Sequence, residues 1–274
     1  MFLLELVFES MGGRMPQVKS YAAGTPCWLD LMTSDPEAAR GFYGGLFGWD
    51  LEVGPPETMS YTQARIGGLA VAGLSGERKP DDIPVAWTTY LATDDVDATV
   101  REIAAAGGAV NITPVDVMDQ GRMAVATDPQ GAVFGLWQAG RHIGSELVNE
   151  PGTVCWNELM TPDLDATRRF YSAVFGYDWD DVDTGEGGPP YATFAVDGRP
   201  VGGAMQLDPA QASTTPPSWM ADFAVADADA TVVKARELGG GVSVPATDSS
   251  YGRFAILTDP QGGTFAVIRL NPED

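Results

Sequence analysis

Apolar and polar positions follow a grammar that restarts four times along the chain. Residues 27–32 (CWLDLM) alternate, which predicts a strand with one buried face. Ser34, Asp35 and Pro36 come next, a capping side chain followed by a proline suited to a first helical turn. In PEAARGFYGGLF, Ala39, Phe42, Tyr43 and Leu46 share a face, so the spacing predicts a helix over 36–47, stopped at Gly48. SYTQARI and LAVAGL predict two strands joined at Gly67-Gly68. After Pro84 the order repeats. WTTYLAT reads as a strand and DDVDATVREIAAAGG as a helix ending at Gly107-Gly108. AVNITPVDV, RMAVATD and AVFGLWQ read as strands, with Asp128-Pro129-Gln130-Gly131 as a turn.

The second half repeats the first. GTPCWLDLMTSDPEAARGFYGGLFGWD at 24–50 returns as GTVCWNELMTPDLDATRRFYSAVFGYD at 152–178, an offset of 128. ATDDVDATVREIAAAGGAV returns at offset 132, and GRMAVATDPQGAVFGLW at offset 131. A period this long describes a duplicated domain, since solenoid repeats run about 20–50 residues. The expected layout is an extension at 1–20, domains at 21–140 and 152–271, and a polar linker at 141–151. The apolar start MFLLELVFES carries Glu5 and Glu9 and no leading basic residue, unlike a signal peptide, and Met15 is a second candidate start.

Composition narrows the function. The 274 residues carry 16 Lys+Arg against 38 Asp+Glu, a net charge of −22. That charge repels phosphate backbones and anionic membrane surfaces, so neither nucleic acid nor membrane is an expected partner. With 44% hydrophobic residues and seven Trp, the acidity does not imply disorder. No stretch of about 20 apolar residues is present. Two cysteines make no disulfide scaffold and suit a reducing, cytoplasmic setting. One histidine, His142 in the linker, leaves no Ser-His-Asp or Cys-His set, and neither a phosphate loop nor C-x-x-C occurs.

The segments TSDPEAARGFYGGLFGW, TDDVDATVREIAAAGG and TDPQGAVFGLW, with their second copies, resemble the vicinal oxygen chelate superfamily of glyoxalases, bleomycin-resistance proteins and extradiol dioxygenases. Similarity is greatest to tandem members described as hydroxylases or glyoxalase-like antigens. The resemblance implies an α+β fold of two tandem glyoxalase-like domains. Each would pair two βαβββ units into an open, barrel-like cup whose concave side holds the ligand.

The same resemblance implies metal-ligand positions on the first and last strands of each unit. They fall at Trp28, Gly73, Thr88, Gly135, Trp156, Gly203, Met220 and Ala266, none a plausible ligand for Zn, Fe or Mn. The expectation is therefore no metal and no other cofactor. If Trp28 faces the cup, alternation turns Asp30, Thr88, Tyr90, Gly135 and Trp137 the same way, with Trp156, Glu158, Met220, Asp222 and Ala266 in the second copy. Tyr61 and Tyr191 are equivalent and line the third strands. Cys27 and Cys155 turn to the other face as structural residues. Small Gly135 and Ala266 favour open space, although a large neighbour can close it. Whether the aromatics fill a core or line a pocket stays open.

The residues thus point to a pocket for an aromatic or polyketide-like small molecule, in a resistance, sequestration or natural-product accessory role. The ligand-binding candidates are Trp28, Tyr61, Thr88, Tyr90, Trp137, Trp156, Tyr191, Met220 and Asp222. The alternative is a cofactor-independent hydroxylase, isomerase or lyase with Asp30 or Glu158 as catalytic acid or base; a metal-dependent glyoxalase or dioxygenase ranks last. Arg122 and Arg253 are possible partners for the inward carboxylates. Fusion of two domains can replace a dimer, which favours a monomer over a homodimer.

Overall fold

The computed structural model describes residues 17–77 and 83–271. The first 16 residues of the expected N-terminal extension lie outside that range. Four βαβββ modules follow in chain order. The first is β1 (Pro26–Met32), α1 (Pro36–Phe47), β2 (Asp50–Val53), β3 (Thr62–Ile66) and β4 (Leu69–Leu74). The second is β5 (Ala86–Ala92), α2 (Val96–Ala105), β6 (Ala109–Val117), β7 (Gly121–Thr127) and β8 (Val133–Ala139). The third is β9 (Val154–Thr161), α3 (Leu164–Phe175), β10 (Asp178–Val182), β11 (Tyr191–Val196) and β12 (Arg199–Gln206). A short helix, α4 (Pro209–Ala212), precedes the fourth: β13 (Ser218–Ala224), α5 (Ala228–Glu237), β14 (Gly241–Asp248), β15 (Gly252–Thr258) and β16 (Thr264–Leu270).

Local chemistry explains the helices. Asp35, Asp95, Asp163 and Asp227 each accept the backbone N–H of the third residue onward, at 2.9–3.0 Å. Such caps contribute about 0.5–2 kcal/mol each. Gly48 and Gly176 end α1 and α3 in the left-handed region, at φ 71° and 68°, a conformation that favours glycine. Strands β2 and β10 were not individually expected. DLEV is almost wholly exposed, so it lacks apolar alternation, and pairing with β3 holds it.

The strands form two open, mixed eight-stranded sheets, ordered β2-β3-β4-β1-β5-β8-β7-β6 and β10-β11-β12-β9-β13-β16-β15-β14. In every module the first strand runs parallel to the last. Edge strands β6 and β14 carry Pro114 and Pro245 beside register shifts, where a missing N–H costs no ladder bond.

Two compact units form, and they do not follow the sequence halves. One comprises residues 17–27, 90–147 and 157–219, and contains α2 and α3. The other comprises the described residues of 28–89 with 148–156 and 220–271, and contains α1 and α5. The first unit's core joins Leu91, Ile103, Phe134 and Leu136 to Leu159, Phe170, Tyr171 and Phe194. In the second, Phe42, Tyr43, Phe47 and Trp49 pack with Trp87, Phe223 and Phe265.

One buried chain of hydrogen bonds recurs in both units. In the first, Trp219 Nε1 donates to Tyr171 Oη at 3.1 Å, and Tyr171 O–H donates to Asp128 at 3.2 Å. In the second, Trp87 donates to Tyr43 and Tyr43 to Asp259, both at 3.0 Å. The other oxygen of Asp128 accepts the N–H groups of Gln130, Gly131 and Ala132 at 2.8–2.9 Å. The TDPQG turn of one repeat is thus locked by the FY tyrosine from the helix of the other.

The expected linker is not loose. No helix or strand spans 140–153, but Ser145 and Leu147 are buried. Ser145 N–H donates to the Cys27 carbonyl and Tyr21 O–H to the Ser145 carbonyl, both at 2.7 Å. Val18 N–H donates to the Glu146 carbonyl at 2.9 Å, so residues 17–20 of the expected extension lie along the linker.

Replacing Tyr171 with Phe strips a donor from Asp128 and the acceptor from Trp219, all buried. A stability loss of about 1–3 kcal/mol is expected in urea unfolding, and the same for Tyr43→Phe. A change within about 0.3 kcal/mol would show that the chain of bonds is incidental.

Candidate functional site

Each sheet has a face away from the helices, and the parallel strand pairs set out its centre. Asp30 lies opposite Gly73, Tyr90 opposite Gly135, Glu158 opposite Gly203 and Asp222 opposite Ala266. One large or acidic residue on a first strand therefore faces a small residue on a last strand, in all four modules. Their neighbours Leu91, Leu136, Leu159 and Ala204 belong to the helix-side core. That alternation places Tyr90, Trp137, Glu158 and Tyr191 on the opposite, open face.

In the second unit, Trp28 Nε1 donates to Tyr61 Oη at 3.0 Å, and Tyr61 in turn donates to Asp30. Burial, then the Asp30 carboxylate, pushes the Tyr61 phenol well above its ordinary pKa. The Tyr61 hydroxyl occupies the space a side chain at Gly73 would need. Three predicted site residues therefore meet, and Trp28 is 5% exposed. Beside them Gln63, opposite Gly73, and Glu52 both bond to Arg65, a polar patch the sequence reading missed. Its signal was available, because Gln63 and Arg65 alternate with buried Thr62 and Ala64.

In the first unit, the Tyr90 ring covers Gly135, and the Trp137 indole covers Gly121. Trp137 Nε1 donates to the His142 carbonyl at 2.8 Å. Open space at Gly135 is thus corrected: the aromatic side chain from the adjoining strand fills it. Towards the sheet edge Ile112 and Val115 stay 45% and 46% exposed.

Glu158 is half-buried, and burial pushes its carboxyl from an ordinary 4.5 to about 7. Tyr191, opposite Met205, is half-buried in the same unit. In the other unit Trp156 and Asp222 are half-buried, as is Thr88, whereas Met220 and Ala266 are buried.

Other candidates have structural partners. Cys27 and Cys155 donate to the Tyr90 and Asp222 carbonyls, each at 3.4 Å, and burial pushes both thiols up. That suppresses thiolate chemistry. Cys155 is only half-buried, unlike Cys27. Arg122 binds Asp97 and Asp116, and Arg253 binds Asp229 and Asp248. Both guanidinium groups are therefore committed to surface carboxylates rather than to Asp30 or Glu158.

The donor set does not fit a family-type metal. Two of the eight implied positions, Gly73 and Gly135, are covered by tyrosines, and Trp28 offers only an N–H already donated to Tyr61. Among the described residues no three His, Cys, Asp or Glu side chains gather as they would around an ion.

Residues 26–136 match the Glyoxalase/Bleomycin resistance protein/Dioxygenase superfamily, and residues 153–268 match the Glyoxalase-like domain. The chain belongs to this superfamily, with two tandem glyoxalase-like domains. It is 43% identical over 264 residues to the "Putative glyoxylase CFP32" of Mycobacterium bovis, covering 94% of this chain and 100% of that one. It is 39% identical to the anthracycline biosynthesis protein DnrV of Streptomyces peucetius, covering 91% and 94%. The fold also matches a Mn(II)-bound glyoxalase from Novosphingobium aromaticivorans at TM-score 0.60 and 16% identity, covering 92% and 86%.

Two outcomes are expected. A carboxyl raised in the folded state favours folding below about pH 4.5, and that contribution is lost as pH rises through about 7. Glu158→Gln should flatten the stability–pH curve across that window by at most about 3 kcal/mol in chemical unfolding; an unchanged slope would contradict it. Protein equilibrated with Zn²⁺ or Mn²⁺ and desalted should retain well under one ion per chain by elemental analysis. A stoichiometric ion released by Glu158→Gln would overturn the donor-set argument.

Proposed function

We propose that this chain is a metal-independent member of the superfamily that binds an aromatic, polyketide-type small molecule against its open sheet faces. The observation that carries this reading is the exchange at the family's ligand positions: indoles stand at Trp28 and Trp156, and tyrosine rings cover Gly73 and Gly135, where metal donors are expected. Indole and phenol rings supply flat apolar area, and a few polar groups suffice to orient a ligand. The similarity to DnrV, named for anthracycline biosynthesis, supports a polycyclic, oxygenated ligand. On this reading Trp156, Tyr191, Met220 and Asp222 contribute contacts in the second repeat, and Trp28, Tyr61, Thr88, Tyr90 and Trp137 in the first.

A second reading is favoured by one feature, the carboxyl of Glu158 poised near neutrality, as a general acid or base requires. In that case the chain is a cofactor-independent isomerase, lyase or hydroxylase acting on the same ligand class. Incubation with a tetracyclic anthracyclinone in EDTA separates the two. Quenched tryptophan fluorescence with the ligand recovered unchanged by chromatography is the outcome expected for binding. Conversion that disappears in Glu158→Gln would establish the enzyme, and absence of any quenching would refute both.

A further inference from the structure

One row across β1, β4, β3 and β2 reads Asp30, Gly73, Gln63 and Glu52, each opposite the next in the strand register. We propose that Gln63 is a ligand-orienting donor of this face: a locked carboxamide whose N–H groups recognise a neutral carbonyl oxygen, as in a quinone or aryl ketone. This rests on the small-molecule-binding reading above and names the group that orients the ligand in the first repeat.

The neighbours of Gln63 fix its amide. Gln63 and Arg65 share the open face of β3, because Thr62 and Ala64 turn into the core. Arg65 Nη2 donates to Gln63 Oε1, while its Nε donates to Glu52 at 2.8 Å and its Nη1 to the Gly68 carbonyl at 3.0 Å. A guanidinium has no acceptor, so the amide atom that meets it is the oxygen. Turning the amide over would set N–H against N–H. Gln63 Nε2 is thereby directed away from Arg65. Its two N–H groups have no hydrogen-bond partner among the described residues, and the side chain is only half-buried.

Nearby donors are already engaged. The Trp28 indole N–H goes to Tyr61, and the Tyr61 hydroxyl, lying over Gly73, goes to Asp30. Gln63 stands next to that aromatic pair with its N–H groups open. The guanidinium on its oxygen polarises the amide and strengthens those N–H groups as donors. Charge selects the acceptor. Arg65 is paired with Glu52, and Asp30 lies in the same row, so the row offers no net positive charge to an anion. The net charge of −22 disfavours anions further. A neutral carbonyl oxygen satisfies the amide without that penalty. The second repeat lacks this device, since Thr193 stands opposite Gly203 and Ala195 opposite Pro200.

The test uses the full chain in EDTA with a tetracyclic anthracyclinone as probe. Affinity is read from tryptophan fluorescence, and the quinone carbonyl stretch from difference infrared spectra. Gln63→Leu keeps most of the side-chain volume and removes the donor. Gln63→Glu keeps the contact to Arg65 and puts an acceptor where the donor was. Both should weaken binding about tenfold. A carbonyl band that moves to lower wavenumber on binding to the unsubstituted chain should return towards its free position in the Gln63→Leu complex. Unchanged affinity in either variant, or the same bound carbonyl band in Gln63→Leu, would overturn the inference while leaving the binding reading intact. Absence of binding to the unsubstituted chain would overturn both.

Discussion

A single buried carboxylate organises each compact unit. One oxygen of Asp128 gathers three consecutive backbone N–H groups and so shapes the TDPQG turn; the other receives the Tyr171 hydroxyl. Asp259 does the same for its own turn and Tyr43. Burial raises the pKa of both carboxyls, which measures the cost of placing charge there, and the donors offset that cost. Tyrosine and aspartate come from different repeats in each case. An isolated repeat would have to pair with a second copy to give its tyrosine and aspartate these partners. The duplication supplies both partners within one chain.

That scheme explains what could be read from the sequence. The helices were legible because their stops and starts are local: Asp35 with Pro36, Asp95, Asp163, and glycines 48 and 176. The strand faces were legible because period two is rigid. The composition of the compact units was not, since equivalent repeats offer Tyr43 two equivalent aspartates, and spacing alone does not choose between Asp128 and Asp259. The candidate site was half legible. Alternation placed Trp28, Asp30, Tyr90 and Glu158 on the open face. It could not show that Tyr90 would lie on Gly135, because that contact is made between strands 45 residues apart in sequence. Nor could it separate Asp30, engaged by Tyr61, from Glu158, whose burial lifts its pKa to about 7.

Glycine at a last-strand position admits a tyrosine from a neighbouring strand, and the Trp28–Tyr61–Asp30 chain gives the indole N–H and the phenol their partners. This packing gives stability to the first repeat at the expense of accessible surface.

Native mass spectrometry in the presence of EDTA tests the central claim, ligand binding without metal, most directly. Mixed with excess anthracyclinone, the chain should appear as a complex of the protein with one ligand and no ion. A complex that forms only after Mn²⁺, Fe²⁺ or Zn²⁺ is added, and carries that ion in its mass, would contradict it.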